Sequence, residues 1–206
     1  FAIWDNPKKK LVLARDALGV KPLYYSSVRG QFYFSSEIKG LSSLYNKDLT
    51  IDYDSINRYL SFLWCPGGGT PVSDFKKLEP GYVLVVSNGR IENKYPWYIL
   101  PSFRINQNKM LNLSDAVQCL QNKLSDAVES QMISDVPVGS FLSGGLDSSA
   151  IVALAKVINP DIQCFTIKSV GTQDSGITDD LPYAQKAANH LGVKLDIVEI
   201  DSNLIA

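Results

Sequence analysis

Cysteine and histidine are scarce: the 206-residue chain has three cysteines, Cys65, Cys119 and Cys164, and a single histidine, His190. The cysteines are too few and too scattered for a disulfide framework, and no Cys-x-x-Cys or Cys/His cluster offers a zinc site, so three free thiols are expected. Charge of one sign is also lacking. Its 20 basic and 21 acidic residues leave a formal net charge of −1, with no long block of either, which gives no footprint for nucleic acid. The most continuous apolar run, Gly81 to Val86, falls far short of the roughly 20 residues that cross a bilayer. A soluble, cytoplasmic protein with no membrane partner is the expectation. Neither a start methionine nor a signal-like segment precedes Phe1, and strand-like runs stand at both ends, so the sequence reads as an incomplete excerpt of a longer protein.

What is present divides in two. From Phe1 to Ser36, four short strand-like runs (1–4, 11–15, 22–25 and 31–35) are separated by turn chemistry at Asn6-Pro7, Gly19 and Arg29-Gly30, the pattern of an antiparallel meander. Short helices are predicted over 37–44 and 54–63, and two strands over 78–86 and 90–98 joined at Asn88-Gly89, a hairpin signal. A polar stretch over 101–109 marks the boundary between a first domain at 1–100 and a second at 110–206. Beyond it, Ser114 is placed to cap a helix on which Val117, Leu120, Leu124, Val128 and Met132 recur at helical spacing. Then follow an apolar run at 138–142, a helix at 148–157, a strand at 163–167, a helix at 183–191 ending at Gly192, and a strand at 194–200. Strand and helix in alternation with short links predict a parallel sheet with covering helices.

The informative segment is Val138 to Ser149. An apolar strand runs directly into Ser143-Gly144-Gly145 and then into a helix that starts near Asp147. Backbone N–H groups and the positive end of the helix therefore converge on one point, which is an arrangement that binds anions. Glycines admit a phosphate without a Cβ in the way, and the hydroxyls of Ser143, Ser148 and Ser149 add donors. A carboxylate at Asp147 would repel a triphosphate unless a divalent cation lay between them, which makes Asp147 a candidate magnesium ligand. The loop has no lysine after its glycines and is not a Walker A loop, nor is it Gly-x-Gly-x-x-Gly. Against this stands a plainer possibility: a tight strand-to-helix turn with Asp147 or Ser148 as N-cap.

Ser143-Gly144-Gly145-Leu146-Asp147-Ser148-Ser149 resembles the pyrophosphate loop of enzymes that split ATP into AMP and pyrophosphate, and the preceding run Ser134 to Leu142 is similar to the asparagine synthetase branch. Arg15 to Tyr25, Ser36 to Leu41 and Leu78 to Gly81 resemble the later part of that family's glutaminase domain and its link to the synthetase domain. The resemblance to glutamine-hydrolysing asparagine synthetases covers nearly the whole chain. It implies an α+β domain with an N-terminal-nucleophile-type antiparallel sheet, then an α/β domain with a doubly wound parallel sheet of the adenine nucleotide hydrolase type. It implies ATP and magnesium, with ATP held by Phe141, Leu142, Ser143, Gly144, Gly145, Leu146, Asp147, Ser148 and Ser149, the backbone at Phe141 and Leu142 lying near the adenosine. Ile167 matches a position that touches adenine, although as an apolar strand residue it also reads as plain core. Aspartate, glutamine or ammonia are the implied further substrates of the intact enzyme, and a homodimer is compatible with the family.

The family's glutaminase uses an N-terminal cysteine as nucleophile; residue 1 here is Phe, so no catalytic residue is assigned, and the second ATP segment also lies outside these residues. Arg15, Asp16 and Glu37 read as ion pairs fixing loops or an interface, Asp179-Asp180 as a solvated helix start, and His190 as a partner for helix carbonyls. A β-lactam-forming or other amide-forming relative could share every motif seen, and a non-catalytic nucleotide-binding module is the rival from another class.

Overall fold

The computed structural model describes residues 1–28, 30–44, 49–101, 112–170 and 180–201. The polar stretch beyond residue 101 falls almost wholly outside them. The chain forms two compact units, Phe1–Asn108 and Lys109–Ala206.

The first unit contains β1 (Ala2–Asp5), β2 (Lys10–Ala14), β3 (Tyr24–Val28), β4 (Gln31–Ser35), α1 (Ile38–Leu44), α2 (Tyr53–Phe62), β5 (Lys76–Lys77), β6 (Tyr82–Ser87) and β7 (Arg90–Pro96). The hairpins β1–β2 and β3–β4 form as expected, but the meander does not continue through them. β2 pairs with β6, from Lys10↔Ser87 to Ala14↔Val83, giving one sheet ordered β1-β2-β6-β7 and a second ordered β4-β3-β5. The break is built by Arg15 and Asp16. The Arg15 guanidinium donates to the carbonyls of Lys21 (2.9 Å), Leu78 (2.6 Å) and Gly19 (2.7 Å), while the Asp16 carboxylate accepts from the N–H groups of Val20 (2.7 Å) and Lys21 (3.0 Å). These two residues fix a loop through backbone groups rather than through ion pairs. Alternating side chains Leu13, Leu84 and Val86 from one sheet meet Leu23, Tyr25 and Leu78 in a single core. At the β6–β7 turn Asn88 and Gly89 both have positive φ, 51° and 71°, as the predicted hairpin requires.

The second unit contains α3 (Leu113–Gln131), β8 (Gly139–Phe141), α4 (Leu146–Ile158), β9 (Gln163–Val170), α5 (Leu181–Leu191) and β10 (Lys194–Asp201), with a parallel sheet ordered β10-β9-β8. The cap of α3 is Asn112, whose side chain accepts from the Asp115 N–H at 2.9 Å; Ser114 sits inside the first turn. The amide reaches the N3 donor from one residue before the helix, which Ser114 cannot do from within it. Only the C-terminal end of the predicted apolar stripe is covered: Val128 packs with Ala155 and Ile162, and Met132 lies against them. Val152 of α4 and Ala188 of α5 pack together with Leu142 and Cys164. Both crossover helices therefore lie on the face of the sheet that carries Cys164, and the described strands wind in one direction. No helix of the described residues is long and apolar enough to cross a membrane.

Candidate functional site

β8 and β9 pair in register Phe141↔Phe165, and the Leu142 N–H donates to the Phe165 carbonyl at 2.8 Å, so the ladder runs one residue past the strand. The Leu142 side chain is 1% exposed in the core with Val152, Cys164 and Ala188, so it packs inward and does not face the loop mouth. The chain leaves the sheet at Ser143. Gly144 follows with φ +80°, a conformation that favours glycine. A Cβ there would also strike the backbone of Tyr183 and come within 2.5 Å of the Ala184 nitrogen, because the loop lies directly on the first turn of α5.

Gly145 is different. It is the N-cap of α4, with φ −70° and ψ 165°, ordinary extended values open to any residue. The nearest atom to a Cβ built on it is Ser143 Oγ at 3.5 Å, an ordinary contact. Among the described residues, nothing in the packing demands glycine at this position. Because Gly145 has no side chain, no side chain caps α4, and the N–H groups of its first turn face the loop mouth. The hydroxyls gather at the same point: Ser143 Oγ and Ser148 Oγ are 3.0 Å apart, the Gly145 N–H donates to Ser143 Oγ at 3.4 Å, and Ser148 Oγ donates to the Gly145 carbonyl at 3.3 Å. The Ser149 N–H donates to the Gly145 carbonyl at 3.1 Å, closing the first helical bond.

Leu146 and Asp147 occupy the first turn and are exposed. Neither Asp147 nor Ser148 caps the helix; the N-cap is Gly145, whose lack of a side chain leaves the first turn of α4 without a side-chain cap. An uncapped helix start with its positive end toward solvent is suited to an anion, and the position of Asp147 beside it is suited to a cation bridging carboxylate and phosphate. Among the described residues no group of three or more His, Cys, Asp or Glu side chains could hold a metal ion by themselves.

Phe141 and Ile167 point to the sheet face away from α4 and α5, with Phe165 between them in register. Phe141 is 73% exposed and Ile167 50% exposed, so among the described residues Ile167 is not part of the core. Its strand alternates, and the inward positions are Cys164 and Thr166, both buried. The contact between Gly144 and the start of α5 left no mark in the sequence beyond the glycine itself. Asp179 lies outside the described residues, and Asp180, at the N-cap of α5, makes no side-chain cap bond. His190 is exposed; the carbonyls of Ala188 and Asn189 near it are taken by the Gly192 N–H. Glu37 is exposed on the first unit.

Comparison with known proteins matches residues 1–98 to the glutamine amidotransferase domain and residues 120–205 to asparagine synthase. A glutamine-hydrolysing asparagine synthetase of Bacillus subtilis, numbered 1, is 38% identical over 195 residues, 94% of this chain and 29% of that protein. Another from the same organism, numbered 3, is 33% identical over 75% of this chain and 25% of its own length. The amidase chyE of Penicillium rubens is 26% identical over 100% of this chain and 32% of that protein. The chain thus spans between a quarter and about a third of the length of these relatives.

Proposed function

We propose, from the match of residues 1–98 to the glutamine amidotransferase domain and of residues 120–205 to asparagine synthase, that the whole protein is an ATP-dependent, glutamine-hydrolysing asparagine synthetase whose Ser143–Ser149 loop holds the pyrophosphate of ATP. In this proposal the first domain, over 1–100, belongs to the ammonia-producing half and the second, over 110–206, to the adenylating half. The parallel sheet is part of a doubly wound sheet of the adenine nucleotide hydrolase type, and the first unit's sheets are part of an N-terminal-nucleophile fold.

The observation that carries the proposal is Gly145. Its backbone angles and its surroundings would accept a side chain, yet a side chain there would stand in front of the uncapped N–H groups of α4. The simplest physical account of glycine at such a place is an external neighbour that needs the space, and the donors around it select an anion.

A carboxylate oxygen of aspartate attacks the α-phosphorus of ATP, the bond from that phosphorus to the bridging oxygen breaks, and pyrophosphate leaves. Ammonia then attacks the acyl carbon of the resulting acyl-adenylate and AMP departs. The loop contributes to the first step: N–H groups at the start of α4 and the hydroxyls of Ser143 and Ser148 face the oxygens on which charge accumulates, before the reaction begins. Asp147 would hold magnesium, which when bound would supply neutralisation of the charge that builds up at the loop. Phe141, at the end of β8, and Ile167, within β9, offer exposed apolar surface for the adenine.

The test is aspartate-dependent release of pyrophosphate from ATP by the full-length protein, with asparagine formed when glutamine or ammonium is supplied. Amide formation on another carboxylate would favour the β-lactam-forming or a related acceptor chemistry. ATP binding without pyrophosphate release would favour a non-catalytic module.

A further inference from the structure

We propose that Lys156 is a positioning residue for the pyrophosphate loop, acting through α5; the proposal rests on the ATP-binding role given above to the Ser143–Ser149 loop. Lys156 lies in the last turn of α4, at the opposite end of that helix from the loop. Among the described residues its ammonium pairs with no carboxylate. It crosses to the C-terminal end of α5 and donates to the carbonyls of Leu191 at 2.5 Å and Gly192 at 3.2 Å. A cation is favoured at that end of α5, where carbonyls have no intrahelical partner.

The other end of α5 is where Gly144 rests. There the loop approaches the Tyr183 and Ala184 backbone so closely that even a methyl group would collide. Val152 of α4 packs with Ala188 of α5 between the two ends, with Leu191 against the same cluster. Helix α5 is thus held at both ends by the segment that carries the loop: by Lys156 at its C-terminus and by Gly144 at its N-terminus. A helix packed along its length moves as a rigid element, and releasing one end lets it slide or tilt against its partner. Any such shift is transmitted to the backbone on which Gly144 sits, because no compressible side chain lies between. The N–H groups at the loop mouth then no longer converge on a single phosphate position.

The experiment uses the full-length protein with Lys156→Met, Lys156→Gln and Lys156→Arg. Steady-state pyrophosphate release gives KM for ATP and kcat, glutamine hydrolysis without ATP controls for the first unit and the thermal midpoint for folding of the second, and hydrogen exchange reports on α5 without nucleotide. We expect Lys156→Met to raise KM for ATP about tenfold with a smaller change in kcat, glutamine hydrolysis being retained. Exchange should quicken at residues 183–185, at the far end of α5, as well as near 191. Lys156→Arg, which keeps charge and donors, should restore both. If Lys156→Met is poorly folded, the milder Lys156→Gln carries the same comparison. A KM for ATP within about twofold of wild type, with faster exchange confined to residues 188–192, would show that Lys156 only caps a helix end and would overturn the proposal. If the wild-type protein itself releases no pyrophosphate, the functional proposal fails, and the exchange pattern alone then decides whether Lys156 controls the far end of α5.

Discussion

Gly144 and Gly145 are neighbours of one residue type held for opposite reasons. Gly144 is required by the fold: φ is +80° and α5 backbone occupies the space of its missing Cβ. Gly144→Ala should therefore destabilise the protein by at least about 1–3 kcal/mol, the usual cost of a strained backbone site, and the thermal midpoint should fall accordingly. An unchanged midpoint would mean that α5 does not press on the loop. Asp147 gives the second comparison at this scale. It is not a cap, so Asp147→Asn removes only a favourable charge near a helix start, worth about 0.3–1 kcal/mol, and folding should survive. Pyrophosphate release should nevertheless collapse; full activity in the Asn variant would remove Asp147 from the proposed magnesium site. The loop was legible because strand, glycines, hydroxyls and carboxylate are adjacent in sequence. The division of labour between the two glycines was not, since it depends on Tyr183 and Ala184, some 40 residues away. Nor was the exposure of Ile167, which depends on which face of β9 the helices cover.

At the scale of elements, most helix and strand positions, the hairpins and the parallel sheet were readable from periodicity and turn chemistry, while the pairing of β2 with β6 and of β3 with β5 was not. The link from Ala14 to Tyr24 looked like another turn of a meander. Its actual course is fixed by Arg15, which reaches the carbonyl of Leu78, 63 positions along the chain, and no local pattern announces that bond. Burial pushes the Asp16 pKa up, but the backbone N–H bonds from Lys21, Val20 and their neighbours outweigh it, so the carboxyl lies below its ordinary value. A depressed folded-state pKa gives stability that is present above the unfolded value and is lost as pH falls through the folded one. The loop should therefore weaken only in the acid range, below about pH 4. In Asp16→Ala that acid-dependent part should be missing from a plot of thermal midpoint against pH; an unaltered acid limb would show that Asp16 does not fix the loop. The start of α3 supplies a paired comparison. Asn112→Ala should cost about 1 kcal/mol as a lost cap, whereas Ser114→Ala should stay within about 0.5 kcal/mol. Chemical denaturation of both variants checks this, and equal losses would return the cap to Ser114.

At the scale of the molecule, one chain carries matches to an amidotransferase domain and to asparagine synthase, in that order. On the function proposed above, that order suits a protein that makes ammonia in one part and consumes it in another, and ATP, rather than NAD or GTP, is the nucleotide to test. The account stands on the space in front of Gly145, and that space can be filled without disturbing the fold. The decisive measurement is calorimetric titration of the full-length protein with ATP and magnesium, wild type against Gly145→Ala, alongside their thermal midpoints. Because the alanine meets no atom closer than 3.5 Å, the account predicts a midpoint equal to wild type or raised by the about 0.4–1 kcal/mol that Gly→Ala gives at a compatible site, together with loss of the ATP binding heat. A Gly145→Ala protein that is equally stable and binds ATP as tightly as wild type would contradict it.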